Sequence, residues 1–360
     1  MRIGILTFHC ARNFGAMLQC YALQEYLSSC GHEVSVIDYR PEYMDCAPPK
    51  FKWWYLKPTS PLLSLKRLLK IFPSLKRRHE LFSSFESRFF RLSEPVDKSI
   101  LEKPLSEYDC VIVGSDQIWN PRHNAGDSVW YGEIGGGIKL IAYAASAGAV
   151  DSKSMVPLKD ALQRFAAISV RENELSQAIG EQCHGLLPEV VCDPVFLPDN
   201  DFWSQWAEPV YKGAYILVYQ ARSNDAIIRI AKEIAAKYNA EVLTVDCYSN
   251  SFTRGIRHVD AGPDGFVSLV SNALCVVTSS FHGASMSMIM HTPFYVVRLD
   301  DGADARAEEC LARMGLSERM IGMRTVPDHI EMDFHVSDQL IAAEREKSRM
   351  FIEKALESCI

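Results

Sequence analysis

The chain has 360 residues, of which 48% are hydrophobic and 23% charged, the proportions of a soluble globular protein. It contains no apolar run long enough to span a bilayer, and its net charge of -7 argues against a nucleic-acid-binding protein. The length exceeds what one core usually supports, which favours two domains.

The eleven cysteines form no CxxC pair and no Cys/His set with the spacing of a zinc site. We therefore expect thiols in a reducing cytoplasm, without a structural metal. The first ten residues, MRIGILTFHC, lack the pattern of a signal peptide, which agrees with a cytoplasmic location.

The first half of the chain alternates predicted strands and helices. Residues 2–7 and 33–39 read as strands around a helix at 15–29, a βαβ unit of ordinary size. Four further buried strands are predicted at residues 110–113, 139–145, 166–171 and 190–192.

A basic segment interrupts this alternation. Residues 50–91 contain eleven Lys or Arg and only two Glu, together with many leucines and aromatic residues such as Trp53, Trp54 and Tyr55. One interpretation is a helical hairpin whose apolar face packs on its own domain. The other is an amphipathic surface that contacts an anionic membrane, at its inner face.

The second half repeats the alternating pattern. Strands are predicted at residues 214–219, 241–246, 274–279 and 294–299, with helices at 224–238, 263–272 and 284–290. A long charged amphipathic helix at 337–358 ends the chain. The predicted domains are residues 1–204, which include the basic insertion at 50–92, then 205–330, and a C-terminal helical segment at 331–360.

The predicted fold class is α/β, with two Rossmann-like domains whose parallel sheets face a cleft. Ligands in such folds bind beyond the carboxyl ends of the strands. There is no GxGxxG and no GxxxxGK[ST] motif, so a dinucleotide site or a P-loop has no support.

The segment LCVVTSSFHGASMSMIMHTP at 274–293 is the strongest candidate site. It reads as a strand that ends in Ser279 and Ser280, a turn with His282, and a helix that begins near Gly283. Hydroxyls and a helix N-terminus suit an anion, and histidine suits proton transfer. The alternative is an ordinary connection in which a serine caps the helix and His282 bonds a carbonyl.

Three other strand ends carry candidate groups. The segment GSDQIWN offers Asp116 as a sugar-binding carboxylate or base and Trp119 as a stacking face. Its alternative is an Asx-turn with Trp119 in the core. Arg171 follows a strand and suits a carboxylate or phosphate, although a salt bridge with a nearby Glu is equally consistent. Gly15, after Asn13, permits close backbone approach at the first helix.

The assembled motifs resemble the polysaccharide pyruvyl transferase family. They are NFGAMLQCYALQEYL, GSDQIWN, YAASAG, SVREN, CDPVFL and AGPDGFVSLVSNALCVVTSSFHGASMSMI, in family order between about residues 3 and 297. The resemblance implies a GT-B-like fold in which the C-terminal helix returns to the first domain. It also implies transfer of pyruvate from phosphoenolpyruvate to two hydroxyls of a sugar, which forms a cyclic ketal during polysaccharide biosynthesis.

The resemblance also implies residue roles. The family's histidine corresponds to His282 and its donor-binding arginine to Arg171, and Asp116 is the candidate base. The donor would further contact Ser279, Ser280, Gly283 and Ala284. The acceptor would contact Asn13, Gly15, Ser115, Gln117, Trp119, Asn120 and Ser146. Some members carry an arginine two residues before the histidine, where this chain has Ser280.

The expected partners are phosphoenolpyruvate and a saccharide acceptor, either free or lipid-linked, with no nucleic acid, no cofactor and no metal. Two alternatives stay open. The same fold would serve a glycosyltransferase that uses a nucleotide sugar, or a non-catalytic relative that binds a sugar or an anion.

Overall fold

The computed structural model describes residues 1–44, 46–49, 61–101, 105, 107–135, 137–148, 158–183, 185–199, 201–300, 302 and 304–359. The chain forms two compact units. The first unit comprises Met1–Cys46, Phe89–Asp199 and Gln339–Ile360, and the second comprises Ala47–Arg88 and Asn200–Asp338.

The first unit contains a six-stranded parallel sheet in the order β2-β1-β3-β4-β5-β6. Its strands are β1 (Arg2–Leu6), β2 (Glu33–Val36), β3 (Cys110–Val113), β4 (Lys139–Ala145), β5 (Phe165–Val170) and β6 (Glu189–Val190). Ile5 of β1, the strand between β2 and β3, pairs with Val36 on one side and Ile112 on the other. Every side chain of β3 is buried, because a parallel strand is covered on both faces.

The second unit contains another six-stranded parallel sheet, in the order β12-β11-β10-β7-β8-β9. Its strands are β7 (Tyr215–Tyr219), β8 (Glu241–Thr244), β9 (Arg257–His258), β10 (Cys275–Thr278), β11 (Phe294–Arg298) and β12 (Met320–Gly322). Thr278 at the end of β10 lies beside Tyr219 at the end of β7. The predicted α/β class with parallel sheets is confirmed.

The helices connect these strands. They are α1 (Phe14–Ser29), α2 (Pro61–Lys66), α3 (Phe72–Phe89), α4 (Lys98–Leu101), α5 (Pro121–Asn124), α6 (Asn173–Gln182), α7 (Asp225–Lys237), α8 (Pro263–Ser271), α9 (Phe281–Ile289), α10 (Ala305–Arg313) and α11 (His335–Glu357). A π-helical turn, Arg67–Ile71, joins α2 to α3. Asn13 and Asn224 cap α1 and α7 by accepting hydrogen bonds from amides of the first turn.

Residues 61–88 of the basic segment belong to the second unit, whereas the sequence placed the segment in the domain at 1–204. The reason lies on one face of α3. Phe82 and Phe85 are buried, and Phe85 meets Trp206 edge to face with ring centres 5.4 Å apart. Ser74, on the same helix, hydrogen-bonds Asp260 beyond β9. Trp53, Trp54 and Tyr55 lie outside the described residues.

The C-terminal helix α11 packs on the first unit, as predicted. Ser348 is fully buried, and its Oγ accepts a hydrogen bond of 2.8 Å from Cys192 N. Arg345 donates to Phe196 O at 2.7 Å, and Arg349 donates to Leu197 O. These contacts use one backbone amide and two backbone carbonyls that follow β6, which a sequence cannot reveal.

One pair of cysteines departs from the expectation of free thiols. Cys10 and Cys46 form a disulfide, with their Cα atoms 5.7 Å apart. The two residues are 36 positions apart in sequence, in loops that follow β1 and β2. No sequence motif marked them, because only the fold of the βαβ unit brings these loops together.

Candidate functional site

Polar side chains collect at the carboxyl edge of the first sheet. Ser115 and Asp116 follow β3, Ser146 follows β4, and Arg171 and Glu172 follow β5. Because parallel strands end at one edge, residues distant in sequence become neighbours there. Of the predicted site residues, the structure therefore brings those that follow β3, β4 and β5 to one edge of the first sheet.

Arg171 lies at the centre of three carboxylates. Its Nη1 donates to Asp193 Oδ2, its Nε donates to Glu172 Oε1 at 3.4 Å, and its Nη2 is 3.8 Å from Asp116 Oδ1. Burial by itself would lower the pKa of Arg171, but the three carboxylates outweigh burial and raise it. The guanidinium thus contacts three carboxylates, which agrees with the salt-bridge alternative, and its role as a donor-binding residue stays a prediction.

Asp116 has an unusual backbone conformation. Its φ is 66°, in the left-handed region, which few residues other than glycine adopt. Its carbonyl accepts hydrogen bonds from Ile118 N at 2.8 Å and Ser146 N at 3.0 Å, while its side chain is 14% exposed. The loop thus holds the carboxylate at the surface of the sheet edge, beside Arg171.

Glu172 is a site residue that the sequence reasoning missed. Its Oε1 accepts a 2.7 Å hydrogen bond from Ser146 Oγ, and the same Oγ accepts one from Gly148 N at 3.2 Å. Glu172 is 4% exposed, and its Oε2 is buried with no hydrogen-bond partner among the described residues. Such an atom is a candidate acceptor for a ligand hydroxyl. The available signal was an acidic residue directly after a buried strand.

Two amide side chains beside Ser146 form a fixed pair. Asn120 Nδ2 donates to Gln117 Oε1 at 2.8 Å, and Asn120 Oδ1 caps α5. Gly148 has a φ of 71°, and a Cβ there would lie 2.6 Å from both amides. With this positive φ and these short distances, only glycine fits at position 148. It leaves room for the two amides, which were predicted from the sequence to bind the acceptor.

Two residues predicted to contact the acceptor are instead buried beneath the loop that follows β3. Trp119 is fully buried, its Nε1 donates to Trp130 O at 3.0 Å, and its ring meets Phe165 edge to face. Ser115 is also fully buried, and its Oγ donates to Ala144 O at 2.8 Å. The expected stacking face of Trp119 is therefore corrected, since the ring belongs to the core.

Asn13 and Gly15 stand at the start of α1, after β1. Asn13 Oδ1 accepts a 3.3 Å hydrogen bond from Ala16 N, and Gly15 is buried in the first turn. Their observed contacts are those of a helix cap and a closely packed turn.

A second group, not singled out from the sequence, lies where β1 and β2 end. His9 is fully buried, with Nδ1 3.2 Å from Thr7 O and Nε2 2.9 Å from Asp38 Oδ1. Arg40 Nε donates to the same Oδ1 at 2.5 Å. Burial would raise the pKa of Asp38, but His9 and Arg40 outweigh burial and lower it. The group fixes the loop between β1 and α1 through these hydrogen bonds.

In the second unit, the turn between β10 and α9 carries the predicted histidine. His282 is 6% exposed and lies in the first turn of α9, edge to face with Phe281. Ser280 occupies the N-cap position, and its N donates to Thr278 Oγ1 at 2.9 Å. Ser279 is 7% exposed, and its Oγ has no hydrogen-bond partner among the described residues.

Gly283 permits the close approach of α9 to the sheet. A Cβ at this position would lie 2.4 Å from Thr278 Oγ1 and 3.1 Å from Tyr219 Cδ1. Ala284 is buried, and its N donates to Ser280 O at 3.1 Å to close the first turn. Glycine therefore sets how near the helix N-terminus comes to the strand ends.

A buried carboxylate beyond β8 completes this edge. Asp246 is 3% exposed, and its Oδ2 accepts hydrogen bonds from Gln220 N at 2.7 Å and Thr244 Oγ1 at 3.3 Å. Burial raises the pKa of Asp246 to about 7, with these hydrogen bonds and the charge of Arg78 acting in the opposite direction. No motif marked Asp246 as a candidate, because an aspartate after a strand is common.

Two kinds of feature, a metal-binding cluster and a membrane-spanning helix, are absent from the described residues. Across the part of the chain with described placement, no group of three or more His, Cys, Asp or Glu side chains is arranged to hold a metal ion. Within that same part, no helix combines the length and apolar character needed to cross a bilayer.

Solved structures resemble this chain at low sequence identity. The UDP-N-acetylglucosamine 2-epimerase of Rickettsia bellii is 9% identical, with a TM-score of 0.47 over 99% of this chain and 95% of that one. The Streptomyces sp. SF2575 glycosyltransferase SsfS6 complexed with thymidine diphosphate is 15% identical, with a TM-score of 0.44 over 98% and 99%. No curated protein matches the chain at a significant level.

The sequence itself matches a family model. The model for polysaccharide pyruvyl transferase aligns with residues 13–301, most of the chain. The match includes the Asp116 loop and Arg171 in the first unit and the turn with His282 in the second. The chain belongs to the polysaccharide pyruvyl transferase family and is a transferase.

Proposed function

We propose that the protein transfers pyruvate from phosphoenolpyruvate to a sugar diol and forms a cyclic ketal. The observation that carries the proposal is the family match over residues 13–301, together with a nearly buried histidine at the strand-to-helix turn of the second unit. A helix N-terminus and hydroxyls beside a histidine suit a phosphorylated, carboxylated donor.

The reaction balances without a redox partner. A proton adds to C3 of phosphoenolpyruvate, and the oxygen of one sugar hydroxyl bonds to C2. The bond between C2 and the phosphate oxygen then breaks, and the second hydroxyl closes the ring at C2. The two hydroxyl protons end on the new methyl group and on the inorganic phosphate. His282 delivers the proton to C3 or to the departing phosphate.

The first unit supplies the acceptor side of the proposal. Asp116 takes the proton of the attacking hydroxyl, and Glu172 accepts a hydrogen bond from the sugar through its Oε2. Arg171 is a positioning residue, because its guanidinium lies beside both carboxylates and holds them in place. Ser146, Gln117 and Asn120 provide the further polar atoms that a saccharide needs.

Phosphate release from phosphoenolpyruvate, measured with a panel of saccharide acceptors, tests the proposal. We expect acceptor-dependent release by the wild type and a loss of at least 100-fold in His282→Ala. The matched control is His291→Ala, an exposed histidine just after α9 whose pair with Asp338 lies at the surface. Unchanged turnover in His282→Ala would remove its catalytic role. Stabilisation by a nucleotide sugar and not by phosphoenolpyruvate would replace the proposal with glycosyl transfer.

We also propose that residues 65–70 of the basic segment contact an anionic membrane surface at the cytoplasmic face, where a lipid-linked acceptor would lie. Leu65, Leu68 and Leu69 are 52%, 42% and 62% exposed. Lys66 and Lys70 stand among them, so apolar and basic groups share one surface. Leucine side chains with flanking lysines suit the boundary between acyl chains and anionic headgroups.

Flotation with vesicles containing anionic lipid tests this contact. We expect Leu65→Asn with Leu69→Asn to abolish flotation, and Lys66→Gln with Lys70→Gln to reduce it. The control is Leu186→Asn with Leu187→Asn, which should float like the wild type. These two leucines are also exposed, at 41% and 69%, but lie in the first unit. Equal flotation of all variants would rule the contact out.

A further inference from the structure

Arg78 of the basic segment faces inward, unlike its neighbour. Its Nη1 donates to Val245 O at 3.1 Å, just beyond the end of β8, and its guanidinium lies 4.9 Å from the centre of the Phe82 ring. Arg77, one residue earlier, has a side chain 59% exposed and pairs with Glu80 at 3.2 Å. The two arginines therefore have different surroundings on the same helix.

The surroundings of Arg78 are the carboxyl edge of the second sheet. Its positive charge lowers the pKa of Tyr219, Asp246 and Tyr248, although burial dominates and raises the pKa of each. Tyr219 ends β7, while the other two follow β8. The inserted helix thus brings a cation to this edge from a part of the sequence far from either strand.

Tyr219 connects Arg78 to the start of α9. The side chain of Ser280, the residue at the N-cap position of α9, acts to lower the pKa of the Tyr219 hydroxyl, although burial dominates and raises it. Its ring lies beneath Gly283, where a Cβ would be 3.1 Å from Tyr219 Cδ1. Arg78 contacts the end of β8, which pairs with β7, and Tyr219 at the end of β7 pairs with Thr278 of β10, the strand that leads into α9. The Arg78 contact and the first turn of α9 therefore lie at the same edge of the sheet, on either side of β7.

Two further features at this turn suit an anion. The first turn of a helix presents backbone N–H groups without partners in the helix, and α9 spans nine residues. Ser279, directly before the cap, is more than nine-tenths buried, and its Oγ has no hydrogen-bond partner among the described residues. A buried hydroxyl without a partner is costly unless a ligand or water uses it.

We propose that Arg78 supplies the cation of an anion site formed with Ser279 and the N-terminus of α9. Some family members carry an arginine at the position that is Ser280 here, so the turn between β10 and α9 supplies no such cation in this chain. This inference rests on the proposed function in taking phosphoenolpyruvate as the anion, through its phosphate or its carboxylate. A guanidinium contacts either group with two parallel hydrogen bonds.

A purely structural role is the competing explanation. Arg78 could serve only to offset the buried carboxylate of Asp246, and its removal would then act through that carboxylate. The double variant Arg78→Gln with Asp246→Asn separates the two roles, because it removes the cation and the charge it offsets together. It also guards against a single variant that fails to fold.

Calorimetric titration of the full chain with phosphoenolpyruvate, and separately with inorganic phosphate, tests the proposal. We expect Arg78→Gln to weaken binding roughly 10- to 100-fold, as for loss of a hydrogen bond to a charged group. Arg77→Gln, the matched control, should stay within about twofold of the wild type. The double variant should recover thermal stability but not affinity, and Arg78→Lys should retain part of the binding.

Each outcome decides the question. Equal affinity in Arg78→Gln and the wild type, recovery of affinity in the double variant, or no binding of either probe by the wild type would overturn the proposal. Arg78-dependent binding of phosphate, with phosphoenolpyruvate bound no better and no pyruvate transfer, would keep the anion site and refute the proposed function.

Discussion

Replacing Asp246 by asparagine should stabilise the protein at pH 8. Asp246 is almost fully buried, and burial raises its pKa from the ordinary 3.8 to about 7. At pH 8 the folded protein therefore holds an ionised carboxylate in surroundings that disfavour it. Asparagine keeps an oxygen that can accept the hydrogen bonds of Gln220 N and Thr244 Oγ1, so the substitution removes the charge with little change in contacts.

The magnitude follows from linkage. Between the two pKa values the folded state of the wild type holds a proton that the unfolded state has lost, so its free energy of unfolding decreases as the pH rises from about 4 to about 7. At 1.36 kcal/mol per pH unit, the full difference is on the order of 4 kcal/mol, which is an upper limit for the gain in Asp246→Asn. Above pH 7 both states are ionised and the gain is constant. Below pH 4 both are protonated and the gain disappears.

Urea unfolding of both proteins between pH 4 and pH 8 measures this difference. Asp260→Asn provides a control of opposite sign. Burial would raise the pKa of Asp260, but hydrogen bonds from His258 and Ser74 outweigh burial and lower it. This substitution should therefore destabilise the protein at neutral pH, with an effect that fades in acid. An Asp246→Asn protein no more stable than the wild type at pH 8, or a gain that does not shrink with acidification, would refute the reasoning.

Three further predictions concern packing and buried charge. Arg171→Met should lower the free energy of unfolding by about 3–5 kcal/mol in urea titration, because three carboxylates lose their shared cation; a smaller loss in acid than at pH 8 would support this cause. Gly283→Ala should cost more than 1 kcal/mol by thermal unfolding and weaken phosphoenolpyruvate binding, since the new methyl group meets Thr278 Oγ1; unchanged stability would contradict the close approach. Ser348→Ala should cost about 1–3 kcal/mol, because Cys192 N loses its buried acceptor; a neutral substitution would mean that α11 is held by its other contacts alone.

The prediction from sequence was most accurate for the sheets. β3 is a continuous apolar run, and β4 is one after Lys139, which is typical of parallel strands buried on both faces. β5 contains Ser169 and is only partly buried, but the apolar residues around Ser169 still mark it as a strand. Their ends place candidate side chains at one edge, which follows from strand direction alone. Motif order was likewise sufficient to indicate the family, later shown by the match over residues 13–301.

The prediction was weaker wherever a side chain had two possible directions. A tryptophan after a strand can face a ligand or the core, and Trp119 faces the core because its indole N–H finds Trp130 O there. Arg171 can fork onto a ligand or onto carboxylates, and Asp193 decides the outcome from a loop beyond β6. In both cases the deciding partner lies at a distance that local pattern does not encode.

The sequence by itself determined the α/β class, the two parallel sheets, the position of His282 at a strand-to-helix turn, and the family. Those features depend on hydrophobic periodicity and on motifs within short stretches of chain. Only the tertiary structure decided that the basic segment joins the second unit and that Arg78 reaches Val245 and the charge of Asp246. The physical reason is that burial and charge neutralisation depend on which residues meet in space, and these meet across 167 positions of sequence.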